Sequence, residues 1–284
     1  MPYVTVDGIA TYYEEVGQGP PVLMFAPGGF NAVVENWSTL GVYREVRPVE
    51  QLARSYRCVV FDRREAGRSW GRVERITWGD YVRHALGLLD HFGIETAHLM
   101  GACVGCSQAA AVAAAHPERV RSLILYSPAG GPRYRMTNRR RFGRHLAFVE
   151  ERGLDGVVDL AGTTDAGFSQ DARLGPWVGL IRRDAEFAAT YASTDVGAYA
   201  HLIDGMGRNL FDRDTVPGVE PEDLLRLQIP ALVVPGEDAS HAPSAARYLQ
   251  ECLPASEYWD VPVAEQTASV AGPRLRGFLD AIAG

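Results

Sequence analysis

A chain of 284 residues, 46% of them hydrophobic, is long enough for one large α/β domain or two small ones and has the apolar content for a sizeable core. Its 28 Lys and Arg against 35 Asp and Glu leave a net charge of −7, which argues against a nucleic-acid backbone or an anionic membrane as the main partner. No apolar run reaches the ~18 residues of a membrane helix, the N-terminus lacks a signal-peptide pattern, and 4 cysteines do not make a secreted disulfide framework; a soluble, cytoplasmic protein with reduced thiols is expected.

In chain order, the alternating stretches "YVTVDG" and "IATYYEEVG" flank Asp7-Gly8 and predict an antiparallel hairpin. Five short apolar runs follow: "PVLMFAPGG", "RCVVFDRRE", "AHLMGAC", "RSLILYSPAG" and "PALVVPGED". Each ends in glycine, proline or charge, as strands buried on both faces of a parallel sheet do. Helices are expected over roughly 77–92, 107–115 and 243–253, which makes the pattern that of a doubly wound α/β sheet with ligands at the carboxyl ends of its strands. From about 131 to 227 the alternation lapses into helical segments with apolar positions such as Phe142, Leu146, Phe148, Trp177, Leu180, Ile181, Phe187 and Tyr191. This stretch is expected to be a helical cap over a core made of residues 1–130 and 228–284. Within it, the basic run Arg139 to Arg141, with Arg133, Arg135 and Arg144, reads as a solvated helix face or as a patch that meets an anionic substrate or partner. A strand "SEYWDVP" and a helix from about 269 to 283 close the chain.

The stretch "HLMGACVGCSQAAAVAAAHPERV" runs strand, sharp turn, helix, and it reads two ways. Gly101 to Gly105 is Gly-x-Cys-x-Gly, a nucleophile elbow with sulfur at its centre; Cys103 to Cys106 has the spacing of a redox dithiol. An elbow needs small residues beside the nucleophile, and Gly101, Ala102, Gly105 and Ala109 supply them. A thioredoxin-like domain is smaller and has no place for five parallel strands, so the elbow is preferred. Cys103 then sits at a helix N-terminus, where the dipole favours a thiolate, and Cys106 is a small buried residue.

With the elbow in place, the chain resembles the α/β-hydrolase superfamily along nearly its whole length. The resemblance rests on "FAPGGF" at the oxyanion loop, "FDRREAGRS" where Asp-x-Arg-Gly-x-Gly-x-Ser is usual, the elbow, "HPERVRSLIL" and "IPALVVPGED". It implies an α/β-hydrolase fold, a mostly parallel sheet flanked by helices with a helical cap. It also implies an oxyanion hole from the backbone of Val104 and Gly29, with Phe30 as an alternative to Gly29. Three positions depart from the superfamily pattern. Cysteine replaces serine at 103, as in dienelactone hydrolases, whose triad is Cys-His-Asp. Pro27 stands where a histidine is usual, which removes only its own donor. The loop after the last strand, "DVPVAEQTASVAG", holds no histidine where the family keeps its catalytic one.

Sulfur and the missing histidine go together: a serine without its base is nearly inert, whereas a cysteine at a helix N-terminus ionises far more readily. Asp238 occupies the place of the triad acid, and His241, three residues on, is the candidate base. In this the chain is similar to a superfamily branch with Pro-Gly-Gly in the oxyanion loop and a histidine soon after the acid. Glu265, His201 and Glu65 are alternative bases, His145 could reach the pocket from above, and His84 and His91 are expected to be half-exposed on their helix. No pair of residues has metal-site spacing, and no cofactor is expected. The reading is a hydrolase or acyl-transfer enzyme that attacks an ester, lactone, thioester or ketone carbonyl of a largely apolar small molecule. A cyclase or lyase on the same fold is one alternative, and a non-catalytic binding protein on a degenerate scaffold is another. A homodimer is compatible with the sequence.

Overall fold

A computed structural model describes residues 2–283, so Met1 and Gly284, the outer ends of the expected core span, lie outside it. Strands β1 (Tyr3–Val6) and β2 (Ile9–Val16) form the hairpin, with Asp7 and Gly8 at φ 50° and 73°, the left-handed pair that a two-residue turn of matching twist requires. The remaining strands are β3 (Pro21–Phe25), β4 (Arg57–Phe61), β5 (Ala97–Ala102), β6 (Val120–Tyr126), β7 (Ala231–Val234) and β8 (Ser256–Tyr258). They complete an eight-stranded sheet of order β1-β2-β4-β3-β5-β6-β7-β8, antiparallel at β1–β2 and β2–β4 and parallel from β4 to β8. This is the expected α/β-hydrolase arrangement.

The apolar runs are continuous because each strand feeds two cores. Leu23, Phe25, Leu99, Leu123, Leu125 and Val233 point to one face, and Val22, Met24, Met100, Ile124, Tyr126, Leu232 and Val234 to the other.

Helices α1 (Asn36–Thr39), α2 (Gly41–Val46) and α3 (Pro48–Leu52) lie between β3 and β4. They were not legible in the sequence, because helices of four to six residues are too short to show a period. Helix α4 (Trp78–His91) starts at Thr77 in a capping box with Asp80, and α5 (Gly105–Ala115) follows the elbow. Between β6 and β7, in the stretch expected to form a cap, lie α6 (Pro132–Ala161), broken at Gly153, then α7 (Val178–Arg183), α8 (Ala185–Ala192), α9 (Val196–Leu210) and α10 (Pro221–Arg226). Its helices share their own apolar cluster, built around Trp177, Tyr199, Phe142 and Met206. Finally α11 (Pro243–Cys252) and α12 (Ala268–Ala283) flank β7 and β8.

His84 corrects one expectation: it is 1% exposed rather than half-exposed. Helix α4 packs on the hairpin, and the His84 ring bonds Thr11 Oγ1 at 2.7 Å, a partner 73 residues away that helix periodicity cannot show. Burial, helped by the charge of Arg64, lowers its pKa to about 3, so it is neutral. His91 is exposed.

Strand β5 and helix α5 approach so closely at the elbow that glycine is required on both sides. A Cβ on Gly105 would stand 2.3 Å from the Phe25 carbonyl oxygen, and one on Gly101 2.3 Å from the Gly105 oxygen. Both obstacles are backbone and cannot swing away. Gly105→Ala is expected to lower the unfolding free energy by ~1–3 kcal/mol, as overpacked sites do; a urea midpoint equal to wild type would contradict this.

Candidate active site

Cys103 sits between β5 and α5 with φ 56°, one of four non-glycine residues at positive φ among the described residues. Such backbone strain is held in place by its surroundings: the Cys103 N–H donates to the Tyr126 carbonyl at 3.2 Å, and Ala129 N–H donates to the Cys103 carbonyl at 3.2 Å. Beneath the turn lies Tyr43, 3% exposed, its hydroxyl donating to the same Tyr126 carbonyl at 3.2 Å. This support comes from α2 and was missed at the sequence level.

Cys106 does not face outward as a dithiol partner. Its thiol is buried and points at the Gly101 and Tyr126 carbonyls, at 3.2 and 3.4 Å. Burial, and then the negative charge of Cys103, push its pKa well above the ordinary thiol value, which keeps it protonated.

His241 reaches the sulfur from the loop after β7. The Asp238 carboxylate accepts from the Ser240 and His241 backbone N–H groups at 2.7 and 3.0 Å, closing a tight turn. It also accepts from His241 Nδ1 at 2.9 Å to each oxygen. That bond fixes the ring so that Nε2 points the other way. The loop is tied to the end of β6 by the Gly130 N–H, which donates to the Ser240 carbonyl at 3.0 Å. Nε2 itself is buried and has no hydrogen-bond partner among the described residues, and His241 and Cys103 line the same cavity, near enough for each to shift the pKa of the other.

The charges follow from this proximity. Burial alone would raise the Cys103 pKa, but the charge and hydrogen bond of His241, with the Val104 and Gly28 amides, outweigh it and hold the thiol below its ordinary value. Burial alone would lower that of His241; Cys103 and Asp238 raise it to about 9 instead. Asp238 is drawn below the usual carboxylate range, since the His241 hydrogen bond and charge overcome its partial burial. Each of the three shifts is toward the charged form of its group.

The loop after β3 supplies the facing wall. Gly28 is at φ 124°, and a Cβ there would meet Asn36 Nδ2 at 2.3 Å, so only glycine fits. Asn36 pins the loop by donating to the Pro27 and Asn31 carbonyls at 2.7 and 2.6 Å. Of the amides expected from the sequence, Val104 faces the sulfur, while Gly29 and Phe30 line the cavity. The Gly28 amide, which also faces the sulfur, was not foreseen. Phe30 turns its ring toward the cap, 5.6 Å from Phe142 and 5.7 Å from Phe168.

These residues open into a cavity of about 920 Å³, walled by Phe30, Trp78, Tyr81, Phe168, Leu210 and Phe211. Glu65 is in this wall, but its role is not that of a free base. It is 2% exposed and ion-paired with Arg63, itself 4% exposed, and one of its oxygens accepts from Tyr81 Oη at 3.0 Å. Arg63 in turn donates to the Gly29 carbonyl. Arg63 was missed because its role depends on this fold-level pairing.

Glu265 and His201, the other candidate bases, are exposed and stand outside the cavity wall; Val263 lines the cavity from the loop where the family histidine would be. His145 is buried inside the cap between the Arg173 carbonyl (3.0 Å) and Tyr199 Oη (2.6 Å), and does not line the cavity. Among the described residues, no group of three His, Cys, Asp or Glu side chains is placed to hold a metal ion. No helix among them is long and apolar enough to cross a membrane.

Comparison with known proteins places this geometry in context. The chain is 37% identical over 127 residues to a 2-hydroxymuconate semialdehyde hydrolase of Pseudomonas sp. strain CF600, covering 43% of this chain and 41% of that protein. It is 31% identical over 128 residues to the dihydrolipoyllysine-residue acetyltransferase component of the acetoin cleaving system of Cupriavidus necator, covering 45% and 32%. The chain thus spans less than half the length of the curated relatives it matches. In three dimensions it is similar to the enol-lactonase from Burkholderia xenovorans LB400, with a TM-score of 0.63 at 20% identity over 98% of this chain and all of that one, a likeness of fold. The family model for the alpha/beta hydrolase fold matches residues 21–162, half of the sequence, and the chain belongs to that family.

Proposed function

We propose that the protein is a cofactor-independent enzyme in which the Cys103 thiolate attacks an ester, lactone, thioester or ketone carbonyl and passes the acyl group to water or another nucleophile. The observation that supports this reading is that Cys103, strained at φ 56° before α5, shares its cavity with a His241 ring oriented by Asp238. The Asp238–His241 turn supplies what the loop after β8 lacks.

For an ester, sulfur bonds to the carbonyl carbon and the π pair moves to oxygen, received by the Val104 N–H and a second amide from the 28–30 loop. Collapse breaks the C–O bond. The leaving alkoxide takes the proton from His241 Nε2, and a thioester to Cys103 remains. His241, now neutral, removes a proton from the attacking water, and the second collapse releases the acid and restores the ion pair. A small-molecule substrate suits the cavity of about 920 Å³ and its aromatic walls.

The test is the rate at which iodoacetamide alkylates Cys103 across pH, followed by peptide mass. In the wild type the apparent pKa should lie well below the free-thiol value of about 8.5, and in His241→Ala it should rise to or above that value. Equal, unperturbed profiles in both proteins would remove His241 from the site.

A further inference from the structure

One charge in the cavity has no counterpart. Tyr134, Asn138 and Arg141 recur at helical spacing on α6 and all three line the cavity that holds Cys103. Asn138 Nδ2 donates to the Tyr134 carbonyl at 2.9 Å, and Arg141 donates to Asn138 Oδ1 at 2.5 Å and to the Ser169 carbonyl at 3.4 Å. A guanidinium has five N–H donors, so these two bonds leave it largely unsatisfied.

The other lining charges are accounted for. Arg63 pairs with Glu65, and Asp238 with His241. Asp165, Glu237 and Arg182 are exposed, and the Arg182 head already donates to the Ala161 and Ala166 carbonyls. Arg141 is half-buried and makes no ion pair among the described residues; burial lowers its pKa from the ordinary guanidinium value. A partly desolvated cation that has two neutral acceptors and the Phe168 ring 5.8 Å away but no carboxylate is costly, and a ligand anion is the group that completes it.

We propose that Arg141, with Asn138 orienting it, is a subsite for a carboxylate on the substrate, whose apolar body runs from there along the aromatic wall to a carbonyl at Cys103. The planar fork of arginine suits a carboxylate's two oxygens. The proposal deepens the catalytic reading and rests on it for where the reactive carbonyl lies. It assigns one member of the basic run to the site rather than to a solvated face.

Binding can be tested apart from turnover, with two stable probes that differ in one group: glutaric acid monoanilide and its neutral primary carboxamide. Calorimetric titration of the wild type should give the acid at least a tenfold lower Kd. Arg141→Gln should erase that difference, and Arg141→Lys should keep part of it, which also shows that the fold survives substitution here. Equal affinity of the two probes for the wild type, binding of neither, or a preference for the acid that persists in Arg141→Gln would overturn the proposal. A phosphonate analogue binding tenfold tighter than the acid would replace carboxylate by phosphate and overturn it as stated. Because the anilide is not cleaved, this result is independent of whether Cys103 proves to be the nucleophile.

Discussion

Cys103→Ala is expected to lower kcat/KM for any ester or thioester the protein turns over by about 10³-fold or more, since loss of a nucleophile leaves only binding and the oxyanion donors. The pH dependence should carry the signature of the pair. The Cys103 pKa is lowered, so the thiolate is present above that lowered value; the His241 pKa is raised to about 9, so the imidazolium persists until pH approaches it. Wild-type kcat/KM should therefore be level between these limits and fall above about pH 9, as the proton for the leaving group is lost. In His241→Ala the thiol returns to or above its free value, so the rise of the profile should move to higher pH and its plateau should drop. Steady-state rates on a short alkyl ester, whose alkoxide leaving group needs that proton, from pH 5 to 10, decide the matter. Turnover that survives Cys103→Ala unchanged would sink the catalytic reading and favour a binding protein on a hydrolase scaffold.

Glu65→Ala should be the most destabilising of the substitutions considered, by ~3–5 kcal/mol, because it leaves the buried Arg63 guanidinium without its carboxylate. Arg63 cannot discharge: burial works against its charge, but Glu65 and its neighbours outweigh that and raise its pKa. Tyr81 also loses the acceptor of its hydroxyl. The double variant Arg63→Met with Glu65→Leu should behave differently. Buried pairs replaced by apolar residues of similar size are often neutral or stabilising by ~1–4 kcal/mol, so its stability should recover. Its activity should not, because the Gly29 carbonyl loses the Arg63 donor that ties down the loop after β3. Urea unfolding and kcat/KM on the same preparations separate the two effects. A double variant that is both stable and fully active would show the pair to be a packing feature with no bearing on the loop.

Much of the site was readable because its parts are local. Gly101 to Gly105 declares a strand–turn–helix elbow by residue size alone, and Asp238 and His241 are three residues apart, close enough for one turn to join them. The hairpin at Asp7-Gly8 and the parallel strands were readable for the same reason, since turn chemistry and strand length are properties of neighbouring residues. His84 was misread because its environment is made by Thr11 on another element.

Other features depend on residues far apart in the chain. Cys103 and His241 line one cavity because β5, β6 and β7 run parallel, which brings the loops after β5 and β7 to the same edge of the sheet. Which of the 28 arginines is paired, buried or left facing a cavity cannot be counted from composition: Arg63 and Arg141 are the same residue type, and only the folded structure turns one to a carboxylate and leaves the other without. Covalent neighbours decide backbone conformation and local hydrogen bonds, so the elbow and the Asp238–His241 turn belonged to the sequence. Solvation and charge compensation are decided by what surrounds a group in space, so the polarity of the pocket, and with it the kind of substrate it can hold, belonged to the tertiary structure.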